Sequence, residues 1–524
     1  MVEGNAVHID GIAFAHSTRR DAQIMRSRIG MTQGALQMSR PMLVKPAYSP
    51  LPGTYDETFE AELIPRAACE PIVASLLSAS PERINELRAR ADRMFLTMGV
   101  TFNVYGDNAG AERIFPFDLV PRVIDANTWK DLEAGLAQRV RALNAFVADI
   151  YGEGKILRDE VVPRDLVCGS SQYRRAAIGI KPPNGVFVTV AGIDLVRDHE
   201  GRFMVLEDNV RTPSGVSYVL ENRQVMTRLM PDLVRKCGVR SVENYPSDLL
   251  ASLHEIAPPT VARPTAALLT PGPYNSAFFE HVFLSQQMGI ELVEGQDLVC
   301  VDHKLFMKTV SGLQQVHVLY RRIDDDFLDP LVFRSDSLLG VAGITDAMRA
   351  GTVTVANGIG TGVADDKAVF AYTPAMIRYY LAEEPLLPIV ETHLLRDADV
   401  RKRVIHDLDQ FVIKPTGASG GYGVLIGPKA TYRELAQMRD AIEKDPAAFI
   451  AQPMVQLSAH PTFVGQGSNV ALVPRHVDLR PFVLLGSKAR VLPGGLTRVA
   501  LREGSLIVNS SQGGGSKDTW VVDA

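Results

Sequence analysis

Residues 186–209 constrain this chain most, because they read as strand, turn and strand with two carboxylates facing each other. Val186-Phe187-Val188-Thr189-Val190 starts an apolar run that carries on through Asp194, Asp198-His199-Glu200-Gly201 supplies the turn, and Arg202-Phe203-Met204-Val205-Leu206-Glu207 returns. A turn centred between Glu200 and Gly201 sets Asp194 opposite Glu207, with Cβ atoms roughly 4.5–5.5 Å apart, and the period of two sends Asn209 to the same face. Like charges that close repel unless a cation lies between them. A hard divalent cation such as Mg²⁺, held by Asp194, Glu207 and Asn209 together with nucleotide phosphates, is the economical explanation. An exposed hairpin face in a shifted register is the alternative. The residues that follow, Val210-Arg211-Thr212-Pro213-Ser214-Gly215, add a cation and two hydroxyls on a turn.

The chain has 42 glycines, and they are bunched. Lys414 ends an apolar strand and precedes Pro415-Thr416-Gly417-Ala418-Ser419-Gly420-Gly421-Tyr422-Gly423, after which Val424-Leu425-Ile426 resumes as a strand. Glycines at 417, 420, 421 and 423 let backbone N–H groups approach phosphate oxygens closely. No G-K-[ST] closes the loop and no helix follows, so it is not a Walker A loop. A flexible hairpin over a triphosphate, with Lys414 on phosphate oxygens, fits the pattern, and an ordinary glycine-rich turn is the other reading. Asp366-Lys367, at a helix start, offers a second cation or a solvated helix end. Gly358-Ile359-Gly360-Thr361-Gly362 has a dinucleotide-fingerprint spacing, but Val363 stands where the third glycine belongs. Asn509 to Lys517 reads as a binding loop or a flexible tail, with Arg480, Arg490 and Arg498 preceding it.

The length of 524 residues predicts three to four units, and 46% hydrophobic residues supply a full core. A net charge of −5 without a basic stripe speaks against a protein that works by neutralising nucleic-acid phosphates. Cys69, Cys168, Cys237 and Cys300 are far apart, as in a reduced cytoplasmic chain. No apolar run reaches the roughly 20 residues of a membrane span, and the N-terminus lacks a signal-peptide layout. Residues 1–55 read as a poorly ordered extension. Residues 56–260 read as a helical region plus the metal-binding hairpin lobe. Its helices begin with Ser80-Pro81-Glu82, closed by Gly99, and continue with an apolar face of Leu132, Leu136, Val140, Leu143 and Val147. Residues 261–356 read as a β-α-β substrate lobe, and 357–524 as nucleotide-binding lobes.

These motifs, in this order, resemble the circularly permuted ATP-grasp proteins and are similar to glutathionylspermidine synthase from about Tyr55 to Trp520. The resemblance rests on Ala191 to Val196, Leu206 to Gly215, Thr270-Pro271-Gly272-Pro273-Tyr274-Asn275, Val412 to Pro415 with its glycine loop, and Asn509 to Trp520. In most ATP-grasp enzymes the nucleotide lysines precede the metal ligands; here the metal hairpin comes first. The resemblance implies an α/β circularly permuted ATP-grasp fold with an appended β-α-β lobe. It makes Asp194, Glu207 and Asn209 the Mg²⁺ ligands, Lys367 and Lys414 the nucleotide lysines, and Gly417 to Gly423 the phosphate flap. Ala451-Gln452-Pro453-Met454-Val455 resembles the hinge that reads adenine; an ordinary buried strand is the alternative. Arg480 resembles an arginine near the transferred phosphate. Gly192 stands where glutathionylspermidine synthase carries an arginine, a charge for which Arg211 is the candidate.

The activity implied is ligation of a small-molecule or peptide carboxylate to an amine, with ATP and Mg²⁺, through an acyl phosphate. An ATP-dependent phosphotransferase on the same fold and a non-catalytic nucleotide-binding protein are the rivals. Tyr320-Arg321-Arg322 and Asp324-Asp325-Asp326 offer contacts for a carboxylate and an amine, or form a solvated charge run. Tyr274, Asn275, Ser511 and Gln512 complete the expected substrate contacts. Neither nucleic acid nor membrane is expected as a partner, and a homo-oligomer is left open.

Overall fold

Helix ends were the most legible part of the sequence. In the computed structural model, which describes residues 48–60, 63–102, 113–417, 423–505, 508 and 514–523, α1 (Pro81–Met98) has Ser80 at its N-cap and Gly99 left-handed at its C-cap, with φ +68°. The Ser80 hydroxyl accepts from the Arg83 N–H, satisfying one of the orphan donors of the first turn. After strand β1 (Phe117–Asp125), helix α2 (Ala126–Ile150) buries the expected face and also Trp129. Its N-cap is Asp125, whose carboxylate accepts from the Asn127 and Thr128 N–H groups.

The hairpin is β2 (Val190–Arg197) and β3 (Phe203–Asn209). Asp194 does pair with Glu207, by a route that differs from the expected one. Near the turn Arg197 pairs with Phe203 and Leu195 with Val205, which centres the turn on Glu200; a bulge between Asp194 and Leu195 then shifts the register by one. The strand also starts later than Val186. The Asn144 side-chain oxygen accepts from the Phe187 and Val188 N–H groups, and that of Asn357 from Thr189 and Val190, so side chains rather than a neighbouring strand satisfy these backbone donors.

The β-α-β lobe forms as expected. Strands β4 (Ala266–Leu269), β5 (Glu291–Val293), β6 (Val318–Arg321) and β7 (Thr354–Ala356) make a parallel sheet in the order β7-β6-β4-β5, with α3 (Phe278–Met288) between β4 and β5. The 357–524 segment is divided. Helix α4 (Lys367–Phe370) leads to a small sheet in the order β8-β11-β9-β10, made of β8 (His393–Leu394), β9 (Phe411–Pro415), β10 (Leu425–Ile426) and β11 (Phe449–Pro453). This sheet has its own core of Leu395, Val404, Leu408, Ile413, Ile442 and Ala451. Beyond it β12 (Ala471–Arg480), β13 (Phe482–Leu485), β14 (Leu496–Val499) and β15 (Gly515–Val522) return to a nine-stranded mixed sheet containing β1, β2 and β3. The expected boundary at 356/357 is therefore crossed by strand pairing, because the end of the chain flanks the hairpin.

Residues 48–55, expected in a loose extension, pack on the body. Tyr48 is buried and donates to Asp56, and the Tyr55 ring lies under Arg66 and Arg197, 4.2 and 4.4 Å from their guanidinium carbons. Residues 1–47 lie outside the described residues. Among the described residues no helix is long and apolar enough to cross a membrane.

Candidate functional site

Asp194 projects from β2 into a cluster of charges drawn from β12, beside it, and β14, the next strand beyond. Arg480 at the end of β12 donates to both carboxylate oxygens, Nε to Oδ1 at 2.5 Å and Nη2 to Oδ2 at 2.8 Å. Arg498 on β14 donates to Oδ2 at 2.7 Å and also to Asp478, its cross-strand partner. Burial alone would raise the Asp194 carboxyl; the Arg480 and Arg498 guanidiniums reverse this and hold it well below the usual range. Glu207, its pairing partner across the hairpin, is partly exposed and meets the Lys367 ammonium at 3.8 Å, too far for a hydrogen bond. The buried Asn209 Nδ2 has no partner. Asp208 points the other way, into a buried two-fold pair with Arg139 of α2 at 2.6 and 2.7 Å, which ties β3 to the scaffold.

The two lysines reach the same place from separate elements. Lys367 is the first residue of α4, whose N-cap Asp366 accepts from the Ala368 N–H and from the Ser170 hydroxyl. The Lys367 backbone N–H donates to the Thr416 carbonyl, which joins this helix start to the end of β9. Burial pulls the Lys414 ammonium down to about 8 against the opposing pull of Glu207 and Asp194, and the charge of Lys367 adds to the fall. Lys414 thus lies within electrostatic reach of both hairpin carboxylates and of the other lysine. Gly417 adjoins Ser171, and Gly423 is left-handed at φ +73°; Gly420, Gly421 and Tyr422 lie outside the described residues. Gln452 is buried on β11, its Nε2 donating to the Thr392 hydroxyl at 3.0 Å.

Two carboxylates and an amide are hard oxygen donors. Mg²⁺ is ordinarily held by one or two carboxylates together with substrate phosphates and water rather than by an all-protein cage. Among the described residues no three His, Cys, Asp or Glu side chains converge as such a cage would need. The open Glu207 oxygens fit the shared kind of site, while the Asn209 Nδ2, which has no partner among the described residues, is a donor suited to a phosphate oxygen rather than to the metal.

Arg211 lies on the far side of the hairpin end. Its Nε is 3.4 Å from Asp324 and 3.9 Å from Asp365 and has no hydrogen-bond partner, and Nη1 is 3.4 Å from the Gln172 oxygen. Burial pushes the Asp365 carboxyl up to about 7, although Arg211 and the Val210 N–H oppose it. Beside Arg211 opens a cleft of about 260 Å³ whose lining includes Thr212, Ser214, Asn275, Arg322 and Asp324. Arg322 and Asn275, two of the residues expected to contact substrate, line this one cleft, whereas Tyr274 is almost fully exposed. Arg321 is not available to a ligand. It is fully buried, pairs with Asp325 at 2.7 Å, and donates to the carbonyls of Ile323, Asn357 and Gly358. Ser511 and Gln512 lie outside the described residues.

The glycines at 358–362 serve packing, not a dinucleotide. A Cβ at Gly360 would lie 2.4 Å from the Tyr151 hydroxyl, and one at Gly362 would lie 2.8 Å from Gln172 and 3.1 Å from the Arg211 Cδ. Sequence reasoning missed Asn357, whose Nδ2 donates to the Val190 and Val210 carbonyls and so joins the start of β2 to the end of β3. It also missed Ser170, Gln172 and Asp365. Nothing in their local sequence distinguishes them from ordinary loop residues.

Residues 121–500 match the family model described as circularly permuted ATP-grasp type 2. An uncharacterized protein of Synechocystis sp. is 52% identical over 469 residues, 89% of this chain and 97% of its own. A Frankia alni protein provisionally named glutamate–cysteine ligase 2-3 is 42% identical over 473 residues, 90% of this chain, which spans only 54% of that protein. The structure of a glutathione synthetase-like effector from Globodera pallida, in its apo form, superposes with a TM-score of 0.55 over 85% of this chain and 98% of that one; at 12% identity this is a likeness of fold.

Proposed function

The chain belongs to the circularly permuted ATP-grasp type 2 family, and from that premise we propose that it is an ATP- and Mg²⁺-dependent ligase joining a carboxylate to an amine through an acyl phosphate. The observation that carries this reading is the Lys367 ammonium 3.8 Å from the Glu207 carboxylate, with its backbone N–H tied to Thr416, two residues after Lys414. A cation pair beside an open carboxylate and an unpartnered amide suits a triphosphate and its metal. The ligase name of the Frankia relative points the same way.

Glu207, Asn209 and the remaining acceptor capacity of Asp194 would hold Mg²⁺, which when bound offsets charge on the phosphates. Lys367 and Lys414 bind phosphate oxygens, and Gly417 to Gly423 cover them. The strand around Gln452 offers backbone groups to adenine. The substrate carboxylate oxygen attacks the γ-phosphorus, the bond to the β-phosphate oxygen breaks, and ADP leaves. The amine nitrogen then attacks the acyl carbon, the carbon–oxygen bond to phosphate breaks, and phosphate departs with the electron pair and takes up the proton that the nitrogen loses. Arg480, anchored on Asp194, and Arg211 are positioned to offset charge on the transferring group. No covalent attachment to the protein is needed.

The test is incubation with ATP, Mg²⁺ and pooled amino acids, small peptides and polyamines, reading ADP and new masses. An amide mass with ADP supports the ligase. A stable phosphorylated product formed without an amine would make the protein a kinase, and ATP binding without any turnover would make it a binding protein.

A further inference from the structure

The cleft beside Arg211 contains two charged groups with incomplete partners. Arg322, with its side chain 2% exposed, donates from Nη1 to the Pro213 carbonyl at 2.7 Å and the Tyr320 hydroxyl at 3.2 Å and from Nη2 to Glu280 at 2.9 Å, but its Nε has no acceptor among the described residues. Asp324, two residues on, is 43% exposed, and its approach to Arg211 at 3.4 Å makes no hydrogen bond. A buried guanidinium N–H left unpaired is costly. The other ionisable group in the lining contributes no charge: burial, with Arg322 adding to it, pulls His281 down to about 2, and its Nδ1 is engaged with the Thr270 hydroxyl. The rest of the lining combines small hydroxyls and an amide with apolar groups that include Phe327 and Leu339.

About 260 Å³ is below the roughly 300–1,000 Å³ of pockets for drug-sized ligands, so the occupant is a small metabolite or one end of a longer molecule. An unmet donor on a cation and an open carboxylate in one lining are the complement of a molecule that carries both a carboxylate and an ammonium. We propose that this cleft seats the α-amino-acid end of one reactant, with Arg322 Nε donating to its carboxylate and Asp324 accepting from its ammonium. Phe327 and Leu339 then offer apolar contact to the side chain. This assignment rests on the ligase reading only in calling the occupant a reactant.

Ligand-observed NMR on the full chain with Mg-ADP tests it, using the twenty common L-amino acids as one pool and their N-acetyl and amide derivatives as two others. At least one free amino acid is expected to bind, with both of its blocked forms at least tenfold weaker. Asp324→Asn should abolish the preference for the free amino acid over the N-acetyl form. Because Arg322 also holds Glu280 and Pro213, the second variant is Ser276→Trp, which fills the cleft and should block the amino acid while Mg-ADP still binds. Binding of no free amino acid, equal binding of the blocked forms, or an unchanged preference in Asp324→Asn would overturn the assignment. Amino-acid binding without Mg-ADP binding would overturn the ATP reading and leave the cleft assignment standing.

Discussion

The side chain of Arg480 crosses directly over the Cα of Gly192. A Cβ at 192 would lie 3.3 Å from the Arg480 Cδ and 3.2 Å from the Pro213 Cβ, so any side chain there would crowd the stem of the arginine that reaches Asp194. An arginine at 192 and an arginine at 480 would compete for one volume. The charge that a glutathionylspermidine synthase-like sequence carries two residues before its aspartate therefore has a candidate source on the neighbouring strand, nearer to hand than Arg211. Arg480→Ala is expected to lower ATP turnover by about 10²–10³, the usual effect of losing one donor to a transition-state charge. Gly192→Arg alone should also lower it, by displacing Arg480. The double variant should recover part of the loss, and a double variant no better than Arg480→Ala would count against the shared volume.

Glu207→Ala should abolish Mg²⁺-dependent ATP turnover while the circular dichroism spectrum and unfolding midpoint stay near wild type, since the side chain is partly exposed and makes only a long ion pair. Retained turnover would remove Glu207 from the metal site.

How far the site could be read from sequence depended on whether its determinants were local. Caps at Ser80 and Gly99 act within one turn and were legible, as was the pairing of Asp194 with Glu207. That pairing was reached through two compensating features, a turn centred one half-step away and a bulge, neither of which alternation reveals. Arg498 and Asn357 were invisible as site-builders because their roles depend on which strands become neighbours. Arg321 misled for the same reason. A charged triplet looks solvated until the parallel sheet buries its middle residue against Asp325.

Nucleotide affinity should fall as pH rises through about 8. Below that value Lys414 carries its charge and attracts phosphate; above it the free protein must first bind a proton, which weakens binding. Titration of Mg-ADP between pH 7 and 9.5 checks this, and the fall should disappear in Lys414→Ala, whose affinity is already low at pH 7.

Asp365 makes the opposite kind of contribution, to stability. Its folded value, raised to about 7, exceeds the unfolded value of 3.8, so between those limits the native state binds more protons and stability is lost as pH rises. Asp365→Asn keeps an acceptor for the Val210 N–H and has no charge to desolvate. It should raise the melting temperature at pH 8 and leave it unraised near pH 4. Equal shifts at both values would mean that burial of this charge is not what the protein tolerates there.

The Arg139–Asp208 pair ties the hairpin to helix α2. Both side chains are almost fully buried, and two hydrogen bonds below 2.8 Å join α2 to β3 between Glu207 and Asn209. Removing one partner leaves the other charge uncompensated in the core, a change that costs about 3–5 kcal/mol, whereas replacing both by apolar groups of similar volume is often near neutral. Asp208→Ala is thus expected to lower unfolding free energy by about that amount in denaturant titration. Arg139→Met with Asp208→Leu should recover most of it. Because the pair also fixes the direction in which Glu207 and Asn209 point, the double variant should be stable yet still bind Mg-ADP more weakly than wild type. Recovery of stability together with wild-type affinity would show that the hairpin is positioned by its strand pairing with β2 alone.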